Sequence, residues 1–162
     1  MNDLFTPVAD PATFSPCRTW RYRLERRWGD GAQVAFIMLN PSTADEENND
    51  PTIRRCISYA KHWGFGGLLI GNIFAFRSTD PKGLYSAPDP IGPENDDWLD
   101  TIANQAAAIV CGWGVHGAYQ ARGRAVLDRL SHRKPMALKL TADGHPGHPL
   151  YLRKDLEPEP IQ

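Results

Sequence analysis

Cysteine is scarce in this chain: Cys17, Cys56 and Cys111 are the only three among 162 residues, and no two stand in C-x-x-C spacing. An odd, scattered set excludes a disulfide framework, a structural zinc site and a four-cysteine iron–sulfur cluster. Idle thiols in a reducing compartment are expected instead. Long apolar runs are missing too. None approaches the roughly 18 residues of a membrane-spanning helix, and the N-terminus has no signal-peptide pattern. A soluble, cytoplasmic protein with no membrane partner is therefore expected. Charge of one sign is also lacking: 18 Lys and Arg face 19 Asp and Glu, for a formal net charge of −1. That balance excludes a protein that coats nucleic acid indiscriminately and leaves room for a local basic groove. There is no internal repeat. At this length the chain reads as one domain able to bury its own core, and as a monomer.

What is present is a series of apolar runs that end in small or polar residues. Val34-Ala35-Phe36-Ile37-Met38-Leu39 stops at Asn40-Pro41-Ser42, Leu68-Leu69-Ile70-Gly71 at Asn72, and Ala108-Ile109-Val110-Cys111 at Gly112-Trp113-Gly114. A fourth run covers Met136 to Leu140. Between them, Pro51 to about Trp63, Trp98 to Ala107 and Val115 to Leu130 have helical character, with Ile53, Cys56, Ile57 and Ala60 at helical spacing. Strands alternating with helices imply a sheet covered on both faces. The expected fold is thus an α/β, three-layer α/β/α sandwich around a central, mainly parallel four-stranded sheet. Trp20 to Arg26 alternates bulky and charged residues as a half-exposed strand does, and with the turn Trp28 to Ala32 it predicts an N-terminal hairpin. Residues 1–16 carry Pro7, Pro11 and Pro16 and read as a flexible arm ahead of a single domain over 17–162. Residues 80–97, with Pro81, Pro88, Pro90 and Pro93, form a loop long enough to be functional or mobile.

In open α/β sheets, ligands bind outside the carboxyl ends of the strands, so three such ends point to one shared pocket. Asn40 offers amide donors and an acceptor that can position a water or a substrate hydroxyl, although an amide is no general base. Asp45 lies close downstream and can supply a carboxylate. Asn72 is costly to bury unless paired, and it can either read the edge of a nucleobase or tie down the adjacent loop. Arg77, five residues on, suits a phosphate or an acidic loop. His145 and His148, three apart, lack the Cys or carboxylate partners of a metal site, so no metal and no cofactor is expected. A histidine there can instead stabilise a developing anion. Leu150 and Tyr151 make a small apolar tip, either packing or a wedge for a base stack. Arg21 and Arg23, if they share a strand face, can meet phosphates; a solvated face is the alternative.

Set in order, these pieces resemble the uracil-DNA glycosylase superfamily across residues 34–152. Leu39-Asn40-Pro41-Ser42 is similar to the Asn-Pro-Gly turn of its mismatch-specific branch, with Ser42 where that motif has glycine. Leu68-Leu69-Ile70-Gly71-Asn72 is similar to the strand bearing the base-reading asparagine, and Cys111-Gly112-Trp113-Gly114-Val115-His116 to the strand that ends in Trp-Gly. His145-Pro146 or His148-Pro149-Leu150 resembles the last motif, His-Pro before an intercalating leucine, and His148 fits better because Pro149-Leu150 follows directly. The chain also resembles a group of small bacterial and phage-associated proteins sharing Asn-Pro-Ser-Thr-Ala and His-Pro-Leu-Tyr segments. The resemblance implies a monofunctional DNA glycosylase acting in base excision on a flipped uracil or a modified or mismatched pyrimidine in DNA. It implies that Asn40 places the water, Asn72 reads the base and His148 holds the leaving base. Pro41, Ser42, Gly112, Trp113 and Phe74 (or Phe76) would line the base pocket, and Leu150 and Tyr151 would press on the strand. Two other readings stay open: a hydrolase or binder of free modified nucleosides or nucleotides, and a non-catalytic nucleic-acid-binding module.

Overall fold

A computed structural model describes residues 5–161. Its strands are β1 (Ala12–Phe14), β2 (Arg21–Arg27), β3 (Gln33–Met38), β4 (Gly67–Asn72), β5 (Ala108–Gly112), β6 (Met136–Ala137) and β7 (Glu159–Pro160). The helices are α1 (Pro51–His62), α2 (Gly83–Ser86), α3 (Asn95–Gln105) and α4 (Arg122–Leu130). They build an α/β fold on a seven-stranded mixed sheet in the order β1-β2-β4-β3-β5-β6-β7. The expected four-stranded sheet is therefore too small. β4, β3, β5 and β6 do run parallel, but antiparallel strands extend the sheet on both sides.

The expected N-terminal hairpin does not form, because β4 lies between β2 and β3. β3 is buried on both faces along its whole length, and such a strand is stable only with neighbours on both edges and helices on both faces. β2 is not half-exposed either. Arg21, Arg23, Glu25 and Arg26 are buried, and two of them pair within the protein: Arg23 Nη2 meets Glu25 Oε1 at 2.7 Å, and Glu25 Oε2 accepts from Gln33 Nε2 at 2.6 Å. The C-terminal end of α3 covers this group through Gln105, whose Oε1 accepts from Arg23 Nη2 at 3.0 Å. In the segment read as an arm, Ala12–Phe14 instead forms an edge strand on β2; residues 1–4 lie outside the described residues.

The alternation of the strands divides the core into two layers. Val34, Phe36, Met38, Leu68, Ile70 and Val110 pack against Ile53, Cys56, Ile57 and Ala60 of α1. Ala35, Ile37, Leu39, Leu69, Ile109 and Cys111 pack against Leu99 and Ile102 of α3 and Val126 and Leu130 of α4. Burying one such side chain contributes about 1.5–3 kcal/mol, so the two layers dominate the stability of the fold. Asp50 starts α1 by accepting from Ile53 N at 2.9 Å, with Pro51 at the first helical position. The helix expected over 115–130 is broken. A 3-10 turn at Val115–Ala121 gives way to α4 through Gln120 and Ala121, at φ 55° and 53°. The path bends around Trp113: a Cβ on Gly117 would lie 2.1 Å from its ring, and one on Gly123 2.7 Å. The segment 80–97 is docked on the sheet, with Leu84 in the core and Trp20 Nε1 donating to Asp89 O at 2.8 Å. No helix of the described residues is long and apolar enough to cross a membrane.

The β3–α1–β4 crossover leaves β3 towards one edge of the sheet, whereas β5–α4–β6 leaves towards the other, on the opposite face. The crevice between the carboxyl ends of β3 and β5 is therefore the switch point where such sheets bind ligands. Asn95, at the start of α3, closes the end of β4: its Nδ2 donates to Asn72 O at 2.8 Å and to Ile73 O at 3.2 Å. Asn95→Ala should strand the buried Asn72 carbonyl and cost about 1–3 kcal/mol, to be read as a lowered urea midpoint with an unchanged slope.

Candidate functional site

At that switch point lies a pocket of about 560 Å³, of a size that fits a nucleoside-sized ligand. Each of the three strand ends read from the sequence contributes to it: Met38 at the end of β3 with Leu39, Asn40 and Ser42 after it, Asn72 from β4, and Trp113 and Gly114 after β5. The loop that follows β6 supplies Thr141, Gly147, His148 and Leu150. Tyr151, 83% exposed, stands at the rim.

Asn40 turns its amide nitrogen into the protein. Nδ2 donates to Ser78 O at 2.8 Å and to Pro41 O at 3.1 Å, which holds the side chain in one orientation. Its Oδ1 accepts no hydrogen bond among the described residues, so the acceptor is what Asn40 offers to the pocket. Asn72 is the opposite case. It is only 2% exposed, lines the pocket, and its side-chain amide has no hydrogen-bond partner among the described residues. Its donor and its acceptor are therefore both available to a ligand in the pocket.

His148 sits at the head of the short turn Pro149–Tyr151, where its Nδ1 accepts from Leu150 N at 3.2 Å. The neutral ring must then carry its proton on Nε2. Burial pushes His148 below the ordinary imidazole value, with the charge of Asp50 opposing. The loop is tied to the end of β5 by Gly114 N donating to Pro146 O at 2.7 Å, and folded on itself by Gly147 N donating to Lys139 O at 2.7 Å. Gly112 makes this approach possible: a Cβ there would lie 2.9 Å from Pro149 Cδ.

Arg21 reaches the pocket because of a β-bulge. The β1–β2 register passes from Thr13↔Arg23 to Phe14↔Arg21, leaving Tyr22 unpaired. The extra residue turns Arg21 to the face opposite Arg23. The two arginines therefore share no strand face, and Arg23 is spent on Glu25 and Gln105. Arg21 is 2% exposed and uses Nη1 to donate to Ala44 O at 3.0 Å. Desolvation brings its pKa down to about 10, so it remains a cation at neutral pH.

Other expected residues lie elsewhere. Asp45 is outside the pocket lining, its Oδ1 taken by Glu47 N and Asn48 N at 3.0 and 2.8 Å in a turn of its own loop. Phe74 is fully buried in the α3–α4 layer beside Tyr119. Pro41, Gly112 and His145 support the pocket without lining it. Arg77 lies over the Phe14 ring at 4.8 Å from its centroid, as Arg18 does at 3.8 Å. The lining also includes residues the sequence reading gave no role: Asp50, Thr52 and Ile53 at the start of α1, and His116, whose Nδ1 is 2.9 Å from Tyr85 Oη. The Asp-Pro-Thr helix-start signature marks the first of these, and His116 closes the segment that follows Trp113-Gly114. Among the described residues no group of three His, Cys, Asp or Glu is placed to hold a metal ion.

A family model described as "Protein of unknown function (DUF1643)" matches residues 21–150, and the chain belongs to that family. The match begins at Arg21 and ends at Leu150, so it takes in nearly all of the pocket lining. No curated protein and no solved structure matches the chain.

Two outcomes test this geometry. Below the ordinary histidine value of 6.5 an unfolded His148 binds protons that the folded one resists, so stability falls as pH drops there. His148→Gln lacks this ionisation, so its urea midpoint relative to wild type should rise on going from about pH 7.5 to about pH 5. Gly112→Ala should push Pro149 and His148 off β5 at a cost of about 1–3 kcal/mol, seen as a shifted His148 ring resonance in an otherwise native spectrum.

Proposed function

We propose that this DUF1643-family protein is a DNA glycosylase-like hydrolase. It would cleave the N-glycosidic bond of a flipped uracil or of a modified or mismatched pyrimidine, as its resemblance to the uracil-DNA glycosylase superfamily implies. One observation carries the reading. Asn40, Asn72 and His148, drawn from three motifs far apart in the sequence, line a single pocket at the sheet's switch point.

Each group suits one part of that reaction. Water attacks C1′ of the sugar as the C1′–N bond breaks, its electron pair leaves with the base, and the water's proton passes to solvent. The free Oδ1 of Asn40, held by the two bonds of its Nδ2, orients the water and faces the positive charge that develops on the sugar. Asn72, unpartnered and buried, provides one donor and one acceptor for the polar edge of a pyrimidine. The Nε2–H of His148 donates to the departing base anion, and a neutral ring does this without first losing a proton. Asp50 is the carboxylate in the lining, but its oxygens are engaged by Ile53 N at 2.9 Å and Ala44 N at 3.3 Å. Water placement thus rests on Asn40. The exposed Tyr151, beside Leu150, suits contact with the strand from which the nucleotide is drawn.

A second reading, action on free modified nucleotides, is favoured by one observation: a buried arginine, Arg21, lies in the same pocket. Oligonucleotides carrying uracil, mismatched thymine or modified pyrimidines, treated with protein and then alkali, test the first reading. Cleavage at one base, reduced about a hundredfold or more by Asn40→Ala, is the expected outcome. Absence of cleavage across the panel removes the DNA reading.

A further inference from the structure

Arg21 is the charged pocket residue that the proposed hydrolysis leaves unused. A guanidinium carries five N–H donors, and the protein engages this one through Nη1 alone, at Ala44 O. Its Nε is buried without a partner, and no carboxylate among the described residues forms an ion pair with it. Removing such a charge from water is expensive unless something pairs with it.

The neighbouring charges do not supply that partner. Arg26 and Arg77 add positive potential, and Asp45 and Asp50 offset it. The oxygens of Asp50 are aimed at the backbone of Ala44 and Ile53, and Oδ1 of Asp45 at Glu47 and Asn48. The positive end of the twelve-residue α1 opens on the same wall through Thr52 and Ile53. A cation with free donors, beside an unpartnered amide at Asn72, faces the interior of one pocket.

We propose that the pocket takes a ligand bearing an anionic oxygen group, a carboxylate or a phosphate, docked on Arg21 while Asn72 reads the polar edge of the attached ring. This rests on the reading of the pocket as a site for a nucleotide-derived substrate, and it narrows that substrate to a charged one. The anion is either an acidic substituent on the pyrimidine or the phosphate of a free nucleotide. Both offer paired oxygens that match the fork of a guanidinium.

Calorimetric titration of the full-length protein with two matched pairs tests the proposal: carboxyuracil against uracil, and uridine monophosphate against uridine. In at least one pair the charged member should bind about tenfold tighter or more. A preference in the first pair assigns the anion to the ring; one in the second assigns it to the phosphate. Arg21→Met should abolish the preference within that pair. Arg21→Lys keeps the charge but loses the fork, so it should retain part of the preference, and it serves as the test if the methionine variant does not fold. Equal affinities within both pairs, no binding of any probe, or a preference that survives Arg21→Met overturns the proposal. A charge preference that depends on Arg21, with no oligonucleotide cleaved, upholds the anion site and removes the glycosylase reading. Cleavage of one oligonucleotide base together with equal affinities within both pairs upholds the glycosylase reading and overturns the anion site.

Discussion

Parallel pairing of β3 on both of its edges is the constraint on which the rest of this molecule depends. Its partners are β4 on one side and β5 on the other, in register from Val34 onward on both edges. A strand so placed has no edge for solvent and no face without a helix, so its residues must be apolar, and Val34 to Met38 are. The same pairing aligns the carboxyl ends of three strands. Since β3 and β5 send their crossovers in opposite directions, a gap opens where they end. The pocket is thus a consequence of topology before it is a consequence of any side chain.

The second organising feature is the handling of buried charge. On β2, Arg23 and Glu25 form a closed group with Gln33 and Gln105, in which each ion has partners within the protein. Arg26 is likewise held, by Asn49 and by loop carbonyls including Asp45 and Asn48. Arg21, on the same strand, is left with one bond. The contrast has a geometric origin: the bulge at Tyr22 turns one arginine out of the paired group and into the pocket. The paired groups take up Arg23, Glu25 and Arg26, and they leave the donors of Arg21 for an incoming anion.

Much of the framework was legible in the order of residues. The apolar runs of β3, β4 and β5, the start of α1 at Asp50-Pro51 and the polar residues at the strand ends follow from local pattern and chemistry. So did the grouping of Asn40, Asn72, Trp113 and His148. Between the two histidines, the one directly ahead of Pro149-Leu150 is the one in the pocket. The absence of a hairpin is not legible locally, because a turn of small residues between two strands looks the same whether or not a third strand later inserts between them. Asp45 is nearer to Asn40 in sequence, but Asp50 is the carboxylate that lines the pocket. The capping role that brings Asp50 to the pocket belongs to the helix it begins.

By itself, the sequence determined that this would be an α/β protein, where its central strands lie, and which polar groups would sit at their carboxyl ends. Periodicity and end-chemistry are local properties, carried by a few consecutive residues. Only the tertiary structure decided that the sheet has seven strands, that β4 separates β2 from β3, and that Arg21 rather than Arg23 reaches the pocket. Those outcomes depend on register and on a single unpaired residue. Register is set by contacts between segments tens of residues apart, where shifting one residue exchanges the two faces of a strand.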